Sequence, residues 1–270
     1  MNDTGLQGVS SGDIVTIARE AGRLILEVKA GRRLDSRAKE DASPVTAADI
    51  AASQHICAAL ARLSPAIPVI SEELPVAPSF AAGTYWLVDP LDGTREFVQG
   101  SGEYTVNIAL IRDLRPVFGV VVIPETGMAY AGGDHCQAGE AAPNSKVNPI
   151  RTRSFDARAP RCLLSRSHRS DEESLLKKLI PTVEVRHAGS SLKYTGIARG
   201  DADFSIRKTP TSIWDTAAAH AVLRAAGGDI VGFEGQPLVY DPAHLRNPPF
   251  LAFGDRSADW TSLLGLLRQL

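Results

Sequence analysis

The stretch Trp86-Leu-Val-Asp-Pro-Leu-Asp-Gly-Thr-Arg-Glu-Phe97 runs from a buried strand into the start of a helix. Its apolar lead, Tyr85 to Val88, is strand-like, and Pro90 keeps the turn behind it from being helical. Asp89 and Asp92 stand three positions apart on that turn. Gly93 and Thr94 follow, with backbone N–H groups at the start of a short helix. Carboxylate oxygens suit a hard cation such as Mg2+, and a helix N-terminus suits a phosphate. Together they predict a metal-assisted phosphate site.

A plainer reading stands beside it. Asp-Gly is a common turn dipeptide, and an Asp at a strand end often only caps the next helix. Spacing also excludes one neighbour. Haloacid-dehalogenase phosphatases need Asp-x-Asp with the first Asp as nucleophile, whereas Pro90-Leu91 separates the two acids here. An aspartyl-phosphate mechanism is therefore disfavoured.

With 270 residues, 44% of them hydrophobic and 22% charged, the chain has the make-up of a globular protein with a sizeable core. A net charge of −2 leaves no electrostatic footprint for polymeric nucleic acid or an anionic membrane. No apolar run approaches the roughly 20 residues of a membrane helix, and no signal-peptide core is expected at the N-terminus. Cys57, Cys136 and Cys162 are scattered and odd in number, which predicts reduced thiols in a cytoplasmic protein. The six histidines form no pair at ligand spacing, so zinc is not expected.

Residues 1–12 are polar and rich in Gly and Ser. Ile14, Ile17, Ala21, Leu24, Ile25 and Val28 predict an amphipathic helix from Asp13 that Gly31 ends. Arg32 to Ser43, with Lys39-Glu-Asp41 inside it, reads as a charged, solvated loop. Thr46 is placed to cap a second helix whose first turns carry Asp49. Pro68-Val-Ile70 is a short strand leading into Ser71-Glu-Glu73, whose carboxylates share an edge with Asp89 if the two strands are neighbours. Tyr104 to Ile111, Pro116 to Ile123 and Met128 to Ala131 predict an antiparallel meander. Its tight turns are Asp113-Leu-Arg115 and Pro124-Glu-Thr-Gly127. Glu140 to Pro160 is rich in Pro, Asn and Ser and marks a boundary, giving halves 1–145 and 146–270.

Beyond it short strands alternate with helices. Strands are expected at Cys162 to Leu164, Val183 to Arg186 and Phe204 to Ile206. The capping box Ser170-Asp-Glu-Glu173 opens a helix to Leu179, and Gly189-Ser-Ser191 feeds one ended by Gly200. An Ala-rich helix runs from Trp214-Asp215 to Gly227-Gly228. Asp215 reads there as a dipole-compensating cap or as a ligand.

Ser71-Glu-Glu73, Asp89-Pro-Leu-Asp-Gly-Thr94 and Trp214-Asp-Thr-Ala-Ala218, in that order, resemble the metal-dependent, lithium-sensitive phosphatase superfamily of inositol monophosphatases. The likeness runs from about Asp13 to Phe253. Thr94-Arg-Glu-Phe-Val98, Gly102-Glu-Tyr-Thr-Val-Asn-Ile-Ala-Leu110, Gly189-Ser-Ser-Leu-Lys193 and Thr211-Ser-Ile-Trp-Asp-Thr-Ala-Ala218 are similar to its bacterial CysQ branch. So are Gln236-Pro-Leu238 and Asn247-Pro-Pro-Phe250. Members of that branch are 3'(2'),5'-bisphosphate nucleotidases.

The resemblance implies a mixed α+β, α/β fold, a layered α-β-α-β-α sandwich. The first half would carry a larger antiparallel sheet and most metal ligands, the second a smaller mixed sheet, the substrate wall and Asp215. It implies hydrolysis of 3'-phosphoadenosine 5'-phosphate to AMP, with inositol-1-phosphate or another small phosphomonoester as the alternative. Glu72, Asp89 and the Leu91 carbonyl would hold one Mg2+, and Asp89, Asp92 and Asp215 a second, with a third, weaker ion near Glu72. Asp49, Glu72 and Thr94, the last bonded to Asp49, would orient and deprotonate the attacking water. The amides of Gly93 and Thr94 would cradle the phosphate. Ser190, Lys193 and Arg207 would line the leaving-group side, and Lys208 would add positive charge where inositol phosphatases tend to carry a glutamate. Two positions depart from the pattern: Ala219 replaces a glycine, and Ser205-Ile-Arg207 replaces Tyr-Pro-Arg. The expected partner is a small nucleotide, with no nucleic-acid polymer and no integral membrane segment. A homodimer and peripheral contact with the inner membrane stay open.

Overall fold

The computed structural model describes residues 4–5, 8–30, 36–38, 44–74, 83–167 and 172–268, and of 36–38 and 44–46 the backbone alone. The expected features at Gly31, Lys39-Glu-Asp41 and Ser170-Asp171, and the cap by the Thr46 side chain, lie outside these residues. Helix α1 (Ser11–Ala30) and helix α2 (Ala47–Leu63) are followed in sequence by the first large sheet. Between them β1 (Ser36–Ala38) and β2 (Pro44–Thr46) pair antiparallel, where the sequence suggested only a loop.

Seven strands then lie side by side in chain order: β3 (Val69–Ser71), β4 (Thr84–Asp92), β5 (Thr105–Arg112), β6 (Arg115–Ile123), β7 (Met128–Gly133), β8 (Cys136–Ala141) and β9 (Asn148–Pro149). Neighbours are antiparallel except β3 with β4, which run parallel with Ser71 opposite Val88. The chain therefore leaves β3 toward Glu72 at the same sheet edge where β4 reaches Asp89. Helix α3 (Thr94–Gln99) follows β4 directly. Strands β8 and β9 escaped the sequence reading because Cys-Gln-Ala-Gly-Glu-Ala has no β-branched residue to mark it.

The second sheet holds β10 (Arg161–Ser165), β11 (Glu184–Ala188), β12 (Phe204–Arg207), β13 (Asp229–Gly232) and β14 (Phe250–Phe253) in the order β11-β10-β12-β14-β13. It is mixed: β10 runs parallel to β11 and β12, and β14 antiparallel to β12 and β13. Its chain segment also carries α4 (Glu172–Leu179), α5 (Leu192–Ala198), α6 (Trp214–Ala226) and α7 (Thr261–Leu267).

Side-chain alternation stacks these elements. In β4, Trp86 and Val88 face α1 and α2, packing in one core with Ile14, Ile25 and Ile56. Tyr85 and Leu87 face the other way, into a core shared with Ile197 of α5, Ala217 and Val222 of α6, and Phe250 and Ala252 of the second sheet. Phe204, Ile206, Leu251 and Phe253 point outward to Leu176 of α4 and Leu263 of α7. The result is five layers, α-β-α-β-α. The middle layer is tight: a Cβ built on Gly119 of β6 would lie 2.2 Å from the Ala218 carbonyl oxygen. Ala219, in place of the expected glycine, is itself buried in that layer. Among the described residues no helix is long and apolar enough to cross a membrane.

Candidate active site

The end of β4 is where the site begins. Asp89 has the parity of Tyr85 and Leu87 and so faces the middle layer. In a regular strand Asp92, three positions on, would face the opposite way. The register shifts between Asp89 and Asp92, and that irregularity re-aims Asp92 toward the second half of the chain. Sequence periodicity alone does not contain this bulge, but Pro90 is its signal, since proline cannot donate to a ladder.

Asp89 is 1% exposed, and its Oδ1 accepts the Leu91 N–H at 3.1 Å. Burial pushes its carboxyl well above the usual range, and Glu72, Asp92, Asp215 and Asp49 each push it further. The five acids picked from sequence, spread from residue 49 to residue 215, therefore lie within electrostatic reach of one another. Asp49 is buried in the first turn of α2, and Glu72 is half-buried just past β3. Asp215, in the first turn of α6, is likewise pushed well up by burial, then by Asp92 and Glu72.

Each of two acids has one oxygen already engaged. Asp92 Oδ2 accepts the Ser190 hydroxyl at 2.7 Å, the Ser191 N–H at 2.7 Å and Asn107 Nδ2 at 3.4 Å. Ser190 is held in the left-handed region, φ 53°, by this contact and by Thr105, whose hydroxyl lies 2.5 Å away. Asp215 Oδ2 accepts the Ser212 N–H at 2.9 Å, a bond back to the residue three before it, while α6 itself has no side-chain cap hydrogen bond. Hydrogen bonding at one oxygen leaves the other to face the cluster.

Thr94 departs from expectation. Its hydroxyl donates to the Leu91 carbonyl at 3.3 Å rather than to Asp49, because the turn brings a carbonyl three residues back within reach. Gly93 stands at φ +90°, and a Cβ there would meet Glu103 O, Glu96 Oε2 and Ser190 Cβ, each at 3.3 Å. Only glycine fits that conformation without strain.

A cavity of about 180 Å³ opens beside the acids. Asp92, Gly93, Thr94 and Asp215 line it together with Ser190, Lys193 and Arg207. Arg95, Glu96, Ser165, Tyr194 and Thr211 complete the lining, and none of them was singled out from sequence. Lys193 is 6% exposed and donates to the Ser190 carbonyl. Burial pushes its ammonium down to about 8, against the pull of Asp92 and with the repulsion of Arg207. Arg207 is 7% exposed, and its Nε has no hydrogen-bond partner among the described residues. Ser205 pairs with the inward-facing Ala252, so Arg207, two residues on, faces inward as well. Lys208 does not belong to this wall: its side chain is exposed, outside the cavity lining, and its backbone N–H donates to Glu172 at 2.8 Å.

The donors at the acidic end are carboxylates and one carbonyl, the hard oxygen set that Mg2+ prefers over zinc's thiolates and imidazoles. Among the described residues no three of these side chains gather into a finished metal-ligand group. The fit lies in donor chemistry: carboxylates pushed upward by burial and then by one another are what a divalent cation would stabilise.

Comparison with known proteins agrees with this geometry. The inositol monophosphatase family matches residues 9–251. A protein of Shigella flexneri named 3'(2'),5'-bisphosphate nucleotidase CysQ is 42% identical over 243 residues, 88% of this chain and 96% of its own length. Its namesake in Escherichia coli strain K12 is also 42% identical, with the same coverage. The crystal structure of CysQ from Bacteroides thetaiotaomicron, a bacterial member of the inositol monophosphatase family, is 33% identical. It superposes with a TM-score of 0.78 over 91% of this chain and 97% of its own. With its layered sandwich, its acids gathered at one sheet edge and a family match over most of its length, the chain belongs to the inositol monophosphatase family.

Proposed function

We propose that the chain is a Mg2+-dependent 3'(2'),5'-bisphosphate nucleotidase that hydrolyses 3'-phosphoadenosine 5'-phosphate to AMP and phosphate. The observation that carries this reading is the cavity lining, which combines Asp92 and Asp215 of the acidic cluster with the buried cations Lys193 and Arg207. Relatives 42% identical and named for that activity support it. A bisphosphate would use both kinds of group, one phosphate at the metals and one at the cations.

Glu72, Asp89 and the Leu91 carbonyl would hold one Mg2+, and Asp89, Asp92 and Asp215 a second, with a third, weaker ion near Glu72. When bound, such ions neutralise charge on the phosphoryl oxygens and acidify water. The residues do the rest. Glu72, beside Asp49, orients a water for in-line attack on phosphorus and takes its proton. As the new P–O bond forms, the bond to the ribose 3'-oxygen breaks and that oxygen takes a proton from solvent, while Thr94 fixes the Leu91 carbonyl. The amides of Gly93 and Thr94 hold the phosphoryl oxygens, since Gly93's left-handed turn leaves them outside the helix ladder. Ser190 shapes the leaving-group side while fixing Asp92. Lys193 and Arg207 meet the remaining phosphate, and Arg207 Nε is a donor in need of an acceptor.

Phosphate release from 3'-phosphoadenosine 5'-phosphate, 3'-AMP and inositol-1-phosphate tests this. A charge-assisted contact contributes roughly 1.5–3 kcal/mol, so the bisphosphate should be hydrolysed at least ~10-fold more efficiently than either monophosphate. Arg207→Ala should erase much of that margin and spare the monophosphate rates. A wild-type preference for inositol-1-phosphate would overturn the nucleotidase reading in favour of an inositol phosphatase.

A further inference from the structure

The stretch Asn247-Pro-Pro-Phe250 has no part in the chemistry above, yet it backs two segments that line the cavity, at Arg207 and at Thr211. Phe250 opens β14 opposite Arg207. Asn247 backs the turn 211–215, on which Thr211 lines the cavity and Asp215 enters the acidic cluster. The backbone is strapped there by the Ile213 N–H to the Leu245 carbonyl at 3.0 Å and the Asn247 N–H to the Thr211 carbonyl at 2.8 Å.

The Asn247 side chain, 2% exposed, completes the strap. Its Nδ2 lies 3.0 Å from Thr211 Oγ1, 2.8 Å from the Ser212 carbonyl and 3.0 Å from Thr216 Oγ1. A carbonyl can only accept, so the group facing Ser212 must be the NH2, and this contact sets the amide's orientation. With its carbonyl so held, Ser212 offers its N–H to Asp215 Oδ2. At the other end of the amide, Oδ1 is buried and has no partner among the described residues. Asn247 therefore acts on its surroundings through its donors.

We infer that Asn247 is a positioning residue for Asp215: its NH2 group holds the 211–215 turn in the shape that presents Asp215 to a divalent cation. This rests on the metal-dependent reading above. Groups that orient a metal ligand typically change metal affinity by about 10–100-fold when removed.

The test is a calorimetric titration of Mn2+ into the substrate-free full chain, beside its thermal melt. Asn247→Ala and Asn247→Ser should bind Mn2+ about 10–100-fold more weakly, with kcat recovering at saturating Mn2+ and KM for the bisphosphate changing little. Tyr240→Phe is the control. It removes a buried hydroxyl from the same network, 2.8 Å from His220 and 3.3 Å from Thr216, without touching the turn. It should lower the melting temperature and leave Mn2+ affinity unchanged. A wild type that binds no Mn2+ sinks the metal reading and this inference with it. A folded Asn247 variant that binds Mn2+ like wild type sinks the inference alone. Should neither Asn247 variant fold, amide exchange in the metal-free wild type decides: slow exchange of the Ser212 N–H supports a held turn, and a free-chain rate overturns it.

Discussion

Gly119→Ala is the substitution whose effect can be worked most directly from the coordinates. The new Cβ would lie 2.2 Å from the Ala218 carbonyl oxygen and 2.8 Å from the Ala218 C and Cα. Non-bonded carbons rest at about 3.5–4.0 Å, so roughly 1 Å of separation must be found between β6 and α6. All three contacts are to backbone, and no rotamer change relieves them. Overpacking of this kind costs about 1–3 kcal/mol, which for a chain of this size is a fall in Tm of roughly 3–10 °C. The helix that must move carries Asp215 less than one turn before Ala218. A displacement of about 1 Å at a catalytic group costs ~100-fold in rate, and Mg2+ tolerates little departure from octahedral geometry. The assay is a melt together with kcat/KM at saturating Mg2+, for Gly119→Ala alone and combined with Ala218→Gly. The second change should not rescue the first, because it leaves the backbone atoms in place. Wild-type melting and turnover in Gly119→Ala would refute the close approach of α6 to the sheet as the source of Asp215's placement.

Two further outcomes follow from the same geometry. Asp215→Asn keeps an oxygen for the Ser212 N–H and removes a charge that its neighbours repel, so the metal-free variant should melt no lower than wild type. It should lose about two orders of magnitude in activity, and full turnover at saturating Mg2+ would refute the role given to Asp215. His220 is buried between the Tyr240 hydroxyl and Asp229, each 2.8 Å away, and burial holds its pKa below 6.5. The unfolded chain takes up that proton first, so this contribution to stability is full above pH 6.5 and is lost as pH falls through the folded value. Tm should fall between about pH 7 and pH 5, and fall less in His220→Gln; equal falls would refute the assignment.

Where apolar runs are bounded by turn residues, the sequence was enough. Tyr85 to Val88 and the meander through Ala131 could be read because each strand is apolar and each turn carries Gly, Pro or a short polar run. The acids were legible for a different reason: any one of them reads equally as a helix cap, and only the three motifs in order single them out. What could not be read depends on contacts across the chain. Thr105 and Ser190 meet from positions 85 residues apart, and Asn107 reaches Asp92 only because of the irregularity behind Pro90. Strands β13 and β14 and helix α7 were missed for want of local pattern, since Pro237, Pro242, Pro248 and Pro249 crowd the region between the two strands. The Thr94 bond to Leu91 is a local competition between two acceptors, which no pattern of residue types decides.

The middle layer also bears on how the chain is made. Tyr85, Leu87, Ala109 and Val121 present one face of the first sheet to a core completed by residues of α6, which begins at Trp214. During synthesis that face waits for about ninety more residues, or roughly 5–20 s at ordinary elongation rates. Over that interval the nascent chain carries an uncovered apolar sheet with no helix of its own to cover it. Ribosome-bound chains halted before Trp214 should therefore be the species most prone to aggregate and most dependent on holding factors, and elongation far enough to bring α6 out of the exit tunnel should relieve both.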